Sequence, residues 1–218
     1  VKIKSNSTFN CYISILKSPW FALVWFSLML ISYFYFDKPI AFFFRQLKHS
    51  DLYNIANYVS DLGKGIYYVI GFTLLFLIAK FILHKEYWSR VFAFLFCAVA
   101  IPGIITRVLK LILSRSRPTM LFHYDIYGFY FLKTKNAFHS FPSGHATTIA
   151  GLTIALALLW SRWWFIFIAG AVLISLTRII VTAHFLSDIM MGFYLGSIIT
   201  LWLYEQFWFN TSISSRRA

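Results

Sequence analysis

Acidic residues and cysteines are scarce in this chain. Seven Asp and Glu stand against twenty Lys and Arg, a formal net charge of +13, and all charged residues together make up only 12% of 218 positions. Hydrophobic residues make up 60%, and the mean hydropathy is +0.70. So little charge excludes a soluble domain carrying an anchor and leaves one polytopic membrane domain. The two cysteines, Cys11 in the leading segment and Cys97 inside an apolar run, fall at different depths by hydropathy, which argues against a disulfide framework; both read as small buried hydrophobes. No stretch alternates with period two, so a β-barrel is excluded. Internal repeats, heptad seams, low-complexity tracts and linkers are missing too, and residues 1–218 read as a single domain.

What is present is apolar, aromatic and cationic. Aromatic residues reach 21%, and Trp and Tyr collect at membrane interfaces. The basic excess could signal nucleic acid, but the cations are scattered between apolar runs, which favours lipid headgroups and an anionic substrate and argues against a nucleic-acid groove. Six runs stand out, at about Trp20 to Phe36, Ile66 to Leu83, Val91 to Leu113, His145 to Trp160, Trp163 to Ile180 and Asp188 to Phe207. A spanning helix needs roughly 17 to 25 residues, so the fourth and fifth must borrow their flanks. The expected fold is all-α, a polytopic membrane bundle of six transmembrane helices. Lys2, Lys4 and Lys17 precede the first run as in a signal peptide, but no small-residue cleavage site accompanies Asp37-Lys38-Pro39, so an uncleaved first helix is expected. Six spans place both termini on one side, and the basic leader with Arg216-Arg217 makes that side cytoplasmic. The protein is therefore expected in a membrane with its chemistry facing outward.

That chemistry resides in three short pieces between Lys110 and Asp188. Lys110 and Arg117 are seven residues apart, nearly two helical turns, so on a persisting helix both would project from one face about 10 Å apart along its axis. Pro118 restricts Arg117 and ends the helix near there. A stop-transfer cluster snorkelling to headgroups is the bland account of such cations, and it is kept for Arg107 and Arg115. Pro142-Ser143-Gly144-His145 precedes an apolar helix, where Ser143 and Gly144 with the free N–H groups and the dipole form an anion site, or where Ser143 is only a cap. His145 adds an ionisable group at membrane depth. In the third piece, His184 and Asp188 are spaced i, i+4. On a continuous helix Asp188 could accept from one imidazole nitrogen, leaving the other free, or the pair could merely stabilise the helix. Arg178 lies six residues before His184 and adds a third cation.

In order and spacing these pieces resemble the type 2 phosphatidic acid phosphatase superfamily, which carries a Lys six intervening residues before Arg-Pro, then Pro-Ser-Gly-His, then Ser-Arg followed by His and Asp. One departure is Thr177 in place of the usual Ser, which puts a hydroxyl contact to phosphate there in doubt. The resemblance implies a phosphoric ester hydrolase in which Lys110, Arg117, Ser143, Gly144 and Arg178 bind phosphate. His184 would attack phosphorus to give a phosphohistidine, Asp188 would stabilise its imidazole, and His145 would protonate the leaving oxygen. No metal and no cofactor is expected, because three cations crowd a place where a metal site would gather ligands. The expected substrate is an anionic phospholipid or lipid A, with no nucleic acid and no obligate protein partner. A phosphotransferase and a non-catalytic protein that binds anionic lipid are the other classes, and the two histidines argue against the latter. Val59-Ser60-Asp61-Leu62-Gly63-Lys64-Gly65 is similar to bacterial lipid A 1-phosphatases, with phosphatidylglycerophosphate and undecaprenyl pyrophosphate as rival substrates. The aromatic connection from Met120 to Phe141 is expected at the interface, as an anchor or as an acyl or sugar contact.

Overall fold

A chain this apolar has to satisfy its backbone polar groups within each segment, and helices do so. In the computed structural model, which describes residues 7–214 and side chains from 10 to 208, the regular elements are helices: α1 (Ser7–Lys17), α2 (Pro19–Ile31), α3 (Asp37–Arg45), α4 (Asp51–Ser60), α5 (Gly65–Leu77), α6 (Glu86–Leu113), α7 (Pro118–Tyr124), α8 (Gly144–Leu159), α9 (Trp164–Ile180) and α10 (Leu186–Ser214). Lys2, Lys4, Arg216 and Arg217 lie outside the described residues.

Among the described residues, five helical segments are long and apolar enough to cross a membrane: Pro19–Arg45, Asp51–Ile82, Glu86–Leu113, Ser161–Ile180 and Leu186–Trp208. Gly144–Leu159 is a shorter apolar helix. The protein is thus an all-α, multi-pass integral membrane bundle. The first segment does not stop at Phe36 as the hydropathy predicts. A π-helical turn over Ser32–Phe36 carries the chain directly into α3, with Pro39 as the third residue of α3. The second segment likewise begins earlier than Ile66, because α4 and a 3₁₀ turn at Asp61–Gly63 precede α5.

α8 is buried over nearly its whole length and packs against α6, α9 and α10, which explains why it is apolar all round. Close approach depends on small residues. A methyl group at Gly192 would lie 2.5 Å from the Ser143 carbonyl oxygen, and one at Gly196 would collide with the Thr147 carbonyl. These two glycines form a Gly-x-x-x-Gly stripe on α10 that lets its backbone lie against α8. Gly151 plays the same part where α8 meets Ala98 of α6. The core continues through Phe94, Leu95, Val99, Ile154, Leu158 and Leu201, while Trp20, Leu23, Ile70, Phe81, Phe165 and Leu173 are exposed along the outer faces.

Candidate active site

Four helix ends converge at one end of the bundle. Lys110 lies in the last turn of α6, His145 in the first turn of α8, Arg178 in the last turn of α9, and Asp188 in the first turn of α10. The helix expected to present Lys110 and Arg117 on one face does not persist. α6 ends at Leu113, Ser114 caps it in the left-handed region at φ 46°, and Arg115–Arg117 run extended before Pro118 opens α7. The two cations meet all the same, because Lys110 Nζ donates to the His139 carbonyl at 2.7 Å and to that of Ser140 at 3.3 Å, and Arg117 reaches the His139 carbonyl at 3.5 Å and the Asn136 carbonyl at 3.0 Å. Lys110, Arg117 and Arg178 lie within electrostatic reach of one another, and burial lowers the proton affinity of the Arg117 guanidinium.

Ser143 caps α8 as its position predicts, its hydroxyl accepting from the Ala146 N–H at 3.5 Å. Its own N–H donates to the Asp188 carbonyl at 3.0 Å, so the start of α8 is bonded directly to the start of α10. Gly144 and His145 then supply the first-turn N–H groups, which have no intrahelical partners. His145 lines an open cavity of about 230 Å³ with Lys110, Gly144, Arg107 and Gly103. The ring of His145 rests on Gly63, where a methyl group would lie 2.7 Å from its Cδ2. The Val59–Gly65 stretch is therefore a wall of this site. Ser60 belongs to the same wall, accepting from Arg178 at 2.5 Å. Thr177, at the position where a Ser was expected, bonds back to the Ile174 carbonyl at 2.6 Å.

His184 and Asp188 do not share a continuous helix. Thr182, at φ 51°, turns the chain out of α9, His184 precedes α10, and Asp188 reaches back to accept from the Phe185 N–H at 2.9 Å, half of a capping box. This brings Asp188 Oδ2 to 3.6 Å from His184 Nδ1 and within 2.5 Å of the Ser140 hydroxyl, which donates to it. Ser140 also lies 3.5 Å from His184 Nδ1. His184 is almost fully buried, and burial pushes its pKa well below the ordinary imidazole value, the Asp188 contact acting in the opposite direction.

Arg115, assigned only a snorkelling role from sequence, is fully buried. It pairs with Asp188 through Nη1 and with Asp37 through Nη2 at 2.7 Å. Burial works against its charge, but Asp188 and Asp37 outweigh that effect and raise its pKa. Arg107 stays exposed on the cavity's edge. The aromatic connection divides. Tyr127 and Phe129 pack inward around Arg115, and Tyr124, Phe131 and Leu132 face outward. Asp37, Arg115 and Ser140 were all missed. An Asp at the edge of an apolar run was the available signal for Asp37; nothing in the spacing singles out Ser140.

These elements are those of a known family. The PAP2 superfamily pattern matches residues 91–212. The chain belongs to the PAP2 superfamily. It is 37% identical over 115 residues to a lipid A 1-phosphatase of Rhizobium johnstonii, covering 53% of this chain and 47% of that protein, and likewise 37% identical over 115 residues to one of Rhizobium etli, covering 53% and 50%. To an undecaprenyl-diphosphatase of Sulfolobus acidocaldarius it is 33% identical over 98 residues, 44% of this chain and 46% of that one. The chain thus spans about half the length of the curated relatives it matches. Its fold is similar to the crystal structure of a transmembrane PAP2-type phosphatidylglycerolphosphate phosphatase from Bacillus subtilis, with a TM-score of 0.58 at 17% identity over 88% of this chain and 96% of that one.

Proposed function

We propose that this PAP2 member is a metal-independent lipid phosphatase that works through a phosphohistidine on His184, with lipid A 1-phosphate as the favoured substrate. The observation that carries this is the buried His184 imidazole, its Nδ1 facing Asp188 and Ser140 beside the Lys110, Arg117 and Arg178 cations. A phosphomonoester carries about −1.5 to −2 charge at neutral pH. Phosphoryl transfer spreads charge over oxygens that need positioned donors, which the three cations and the N–H groups at Gly144 and His145 supply. With Nδ1 directed at Asp188, Nε2 is the attacking nitrogen. A P–N bond forms as the P–O bond to the lipid breaks, and His145 gives its proton to the departing oxygen. Water then attacks the phosphohistidine, His145 takes back a proton, and inorganic phosphate leaves. No step calls for a metal.

Support for lipid A comes from the 37% identity to two lipid A 1-phosphatases and from Gly63 of the Val59–Gly65 segment lying against His145. The bundle is read as six transmembrane helices, α8 being the sixth, in a bacterial inner membrane with the site on the outer side. The test is phosphate release by purified protein from lipid A, phosphatidylglycerophosphate, phosphatidic acid and undecaprenyl pyrophosphate, with phosphoenzyme trapped from labelled substrate and mapped to a peptide. The expected result is release from lipid A and label on His184, both lost in His184→Ala. Turnover by His184→Ala, or label on another residue, overturns the mechanism. Transfer to a lipid hydroxyl with no free phosphate makes the protein a phosphotransferase.

A further inference from the structure

Asp37 lies outside the family-matched residues and 78 positions from Arg115, yet the two form a fully buried ion pair directly behind the site. Each oxygen of Asp37 is used. Oδ1 accepts from the Ser32 hydroxyl and the Ser187 N–H, both at 3.0 Å; Oδ2 accepts from Arg115 and from the Ser187 hydroxyl. Arg115 in turn donates through Nη1 to Asp188 and to the Ser187 hydroxyl at 2.7 Å, and through Nη2 to Asp37 and to the Tyr127 hydroxyl at 2.9 Å. Four rings enclose the guanidinium, those of Tyr33, Tyr127, Phe129 and Phe185, with centroids 4.6 to 5.5 Å away. A chain of contacts therefore runs from α3 through Arg115 to Asp188 and from there to His184.

Charge explains why two carboxylates share one guanidinium. The His184 imidazole becomes more positive as its P–N bond forms, and Asp188 must offer it an uncompensated negative charge in a fixed orientation. An Arg115 paired with Asp188 alone would neutralise that charge. By taking part of the guanidinium's field, Asp37 leaves Asp188 net anionic, and by gripping Ser187 it fixes the turn on which Asp188 is carried. We propose that Asp37 and Arg115 are positioning residues for phosphoryl transfer, acting through Asp188 on the orientation and charge support of His184. The proposal rests on His184 being the nucleophile.

Asp37→Asn tests it, since the amide keeps the shape and one acceptor but lifts Asp37's hold on the guanidinium charge. The expected result is a folded protein with the wild-type KM for the lipid, a kcat lower by about 10- to 100-fold, the size of a lost charged hydrogen bond, and His184 phosphorylation slowed by the same factor in single turnover. The double variant Asp37→Asn with Arg115→Gln restores the cluster's net charge; it should recover thermal stability but not kcat, because Asp188 loses its brace. Wild-type kcat in folded Asp37→Asn, a loss confined to KM, or full recovery of kcat in the double variant overturns the proposal. If Asp37→Asn does not fold, Ser187→Ala, which removes the hydroxyl bridging Asp37 and Arg115, should lower kcat several-fold at unchanged KM, and an unchanged kcat there overturns it as well. Label on a residue other than His184 in the wild type overturns the underlying mechanism; a normal His184 phosphorylation rate in Asp37→Asn overturns only the role given to Asp37.

Discussion

Burial depresses the basicity of His184 well below the ordinary imidazole value of about 6.5, so the ring stays neutral at pH values where an exposed histidine would be protonated. In the proposed mechanism the neutral form attacks, so the acid limb of kcat/KM should lie below 6.5. Asp188→Asn removes the contact that favours the protonated ring, so it should move that limb lower still while reducing kcat. A pH–rate profile checks both, and an acid limb above 6.5 contradicts the burial argument. His145→Ala should cost on the order of 10²- to 10⁴-fold with a lipid and recover in part with a phenolic leaving group, which departs without a proton; leaving-group dependence of kcat is the measurement. Gly63→Ala should also slow turnover, since its methyl group would push the His145 ring out of place. The three motif pieces made most of these residues legible, because catalytic groups must appear as particular side chains at particular spacings. Asp37, Arg115 and Ser140 escaped because their partners are distant in sequence, and Arg115 next to Arg117 looks like any other interfacial cation.

Among the helices, the contact between α8 and α10 matters most, because it bonds the Ser143 N–H to the Asp188 carbonyl and so sets the two halves of the site against each other. Gly192→Leu or Gly196→Leu would drive a side chain into the backbone of α8. Overpacking of this kind typically costs about 1 to 3 kcal/mol, and more where the obstacle is backbone. Each variant should show a lower thermal midpoint in detergent and lose activity in parallel, measured by thermal unfolding beside the phosphate assay. Hydropathy located every apolar segment but misjudged the ends. Asp37, Lys38 and Arg45 make α3 look like a loop, yet α3 buries Asp37 and Ala41. α4 is half polar, and a hydropathy window passes over a helix with one apolar stripe. The Gly-x-x-x-Gly of α10 was legible in principle as a packing stripe in an apolar run.

Across the whole molecule, the ends of α6, α8, α9 and α10 that carry the site define one face. Ser143 is fully buried, so an impermeant thiol reagent needs a more accessible reporter on that face. In a background lacking Cys11 and Cys97, Leu132→Cys, 75% exposed in the wild-type side chain, should label in intact cells, and Lys85→Cys, in the short connection at the other end, should label only after permeabilisation. The reverse pattern would invert the orientation. Activity should survive prolonged chelation and fall with vanadate, and recovery on adding a divalent ion to chelated enzyme would point to a metal after all.

The length of α8 has a consequence for the bilayer itself. Sixteen residues rise about 24 Å, some 6 Å short of a typical hydrocarbon core. On the six-span reading, with the far end of α8 at one boundary, the end bearing Gly144 and His145 would sit about one helical turn beneath the opposite boundary. The phosphorus of a lipid substrate would then have to descend past the glycerol or sugar plane, or the surrounding leaflet would have to thin to meet it. Turnover reconstituted in vesicles of increasing acyl-chain length should accordingly decline once the bilayer outgrows this mismatch, making the protein a gauge of the thickness of the membrane that holds it.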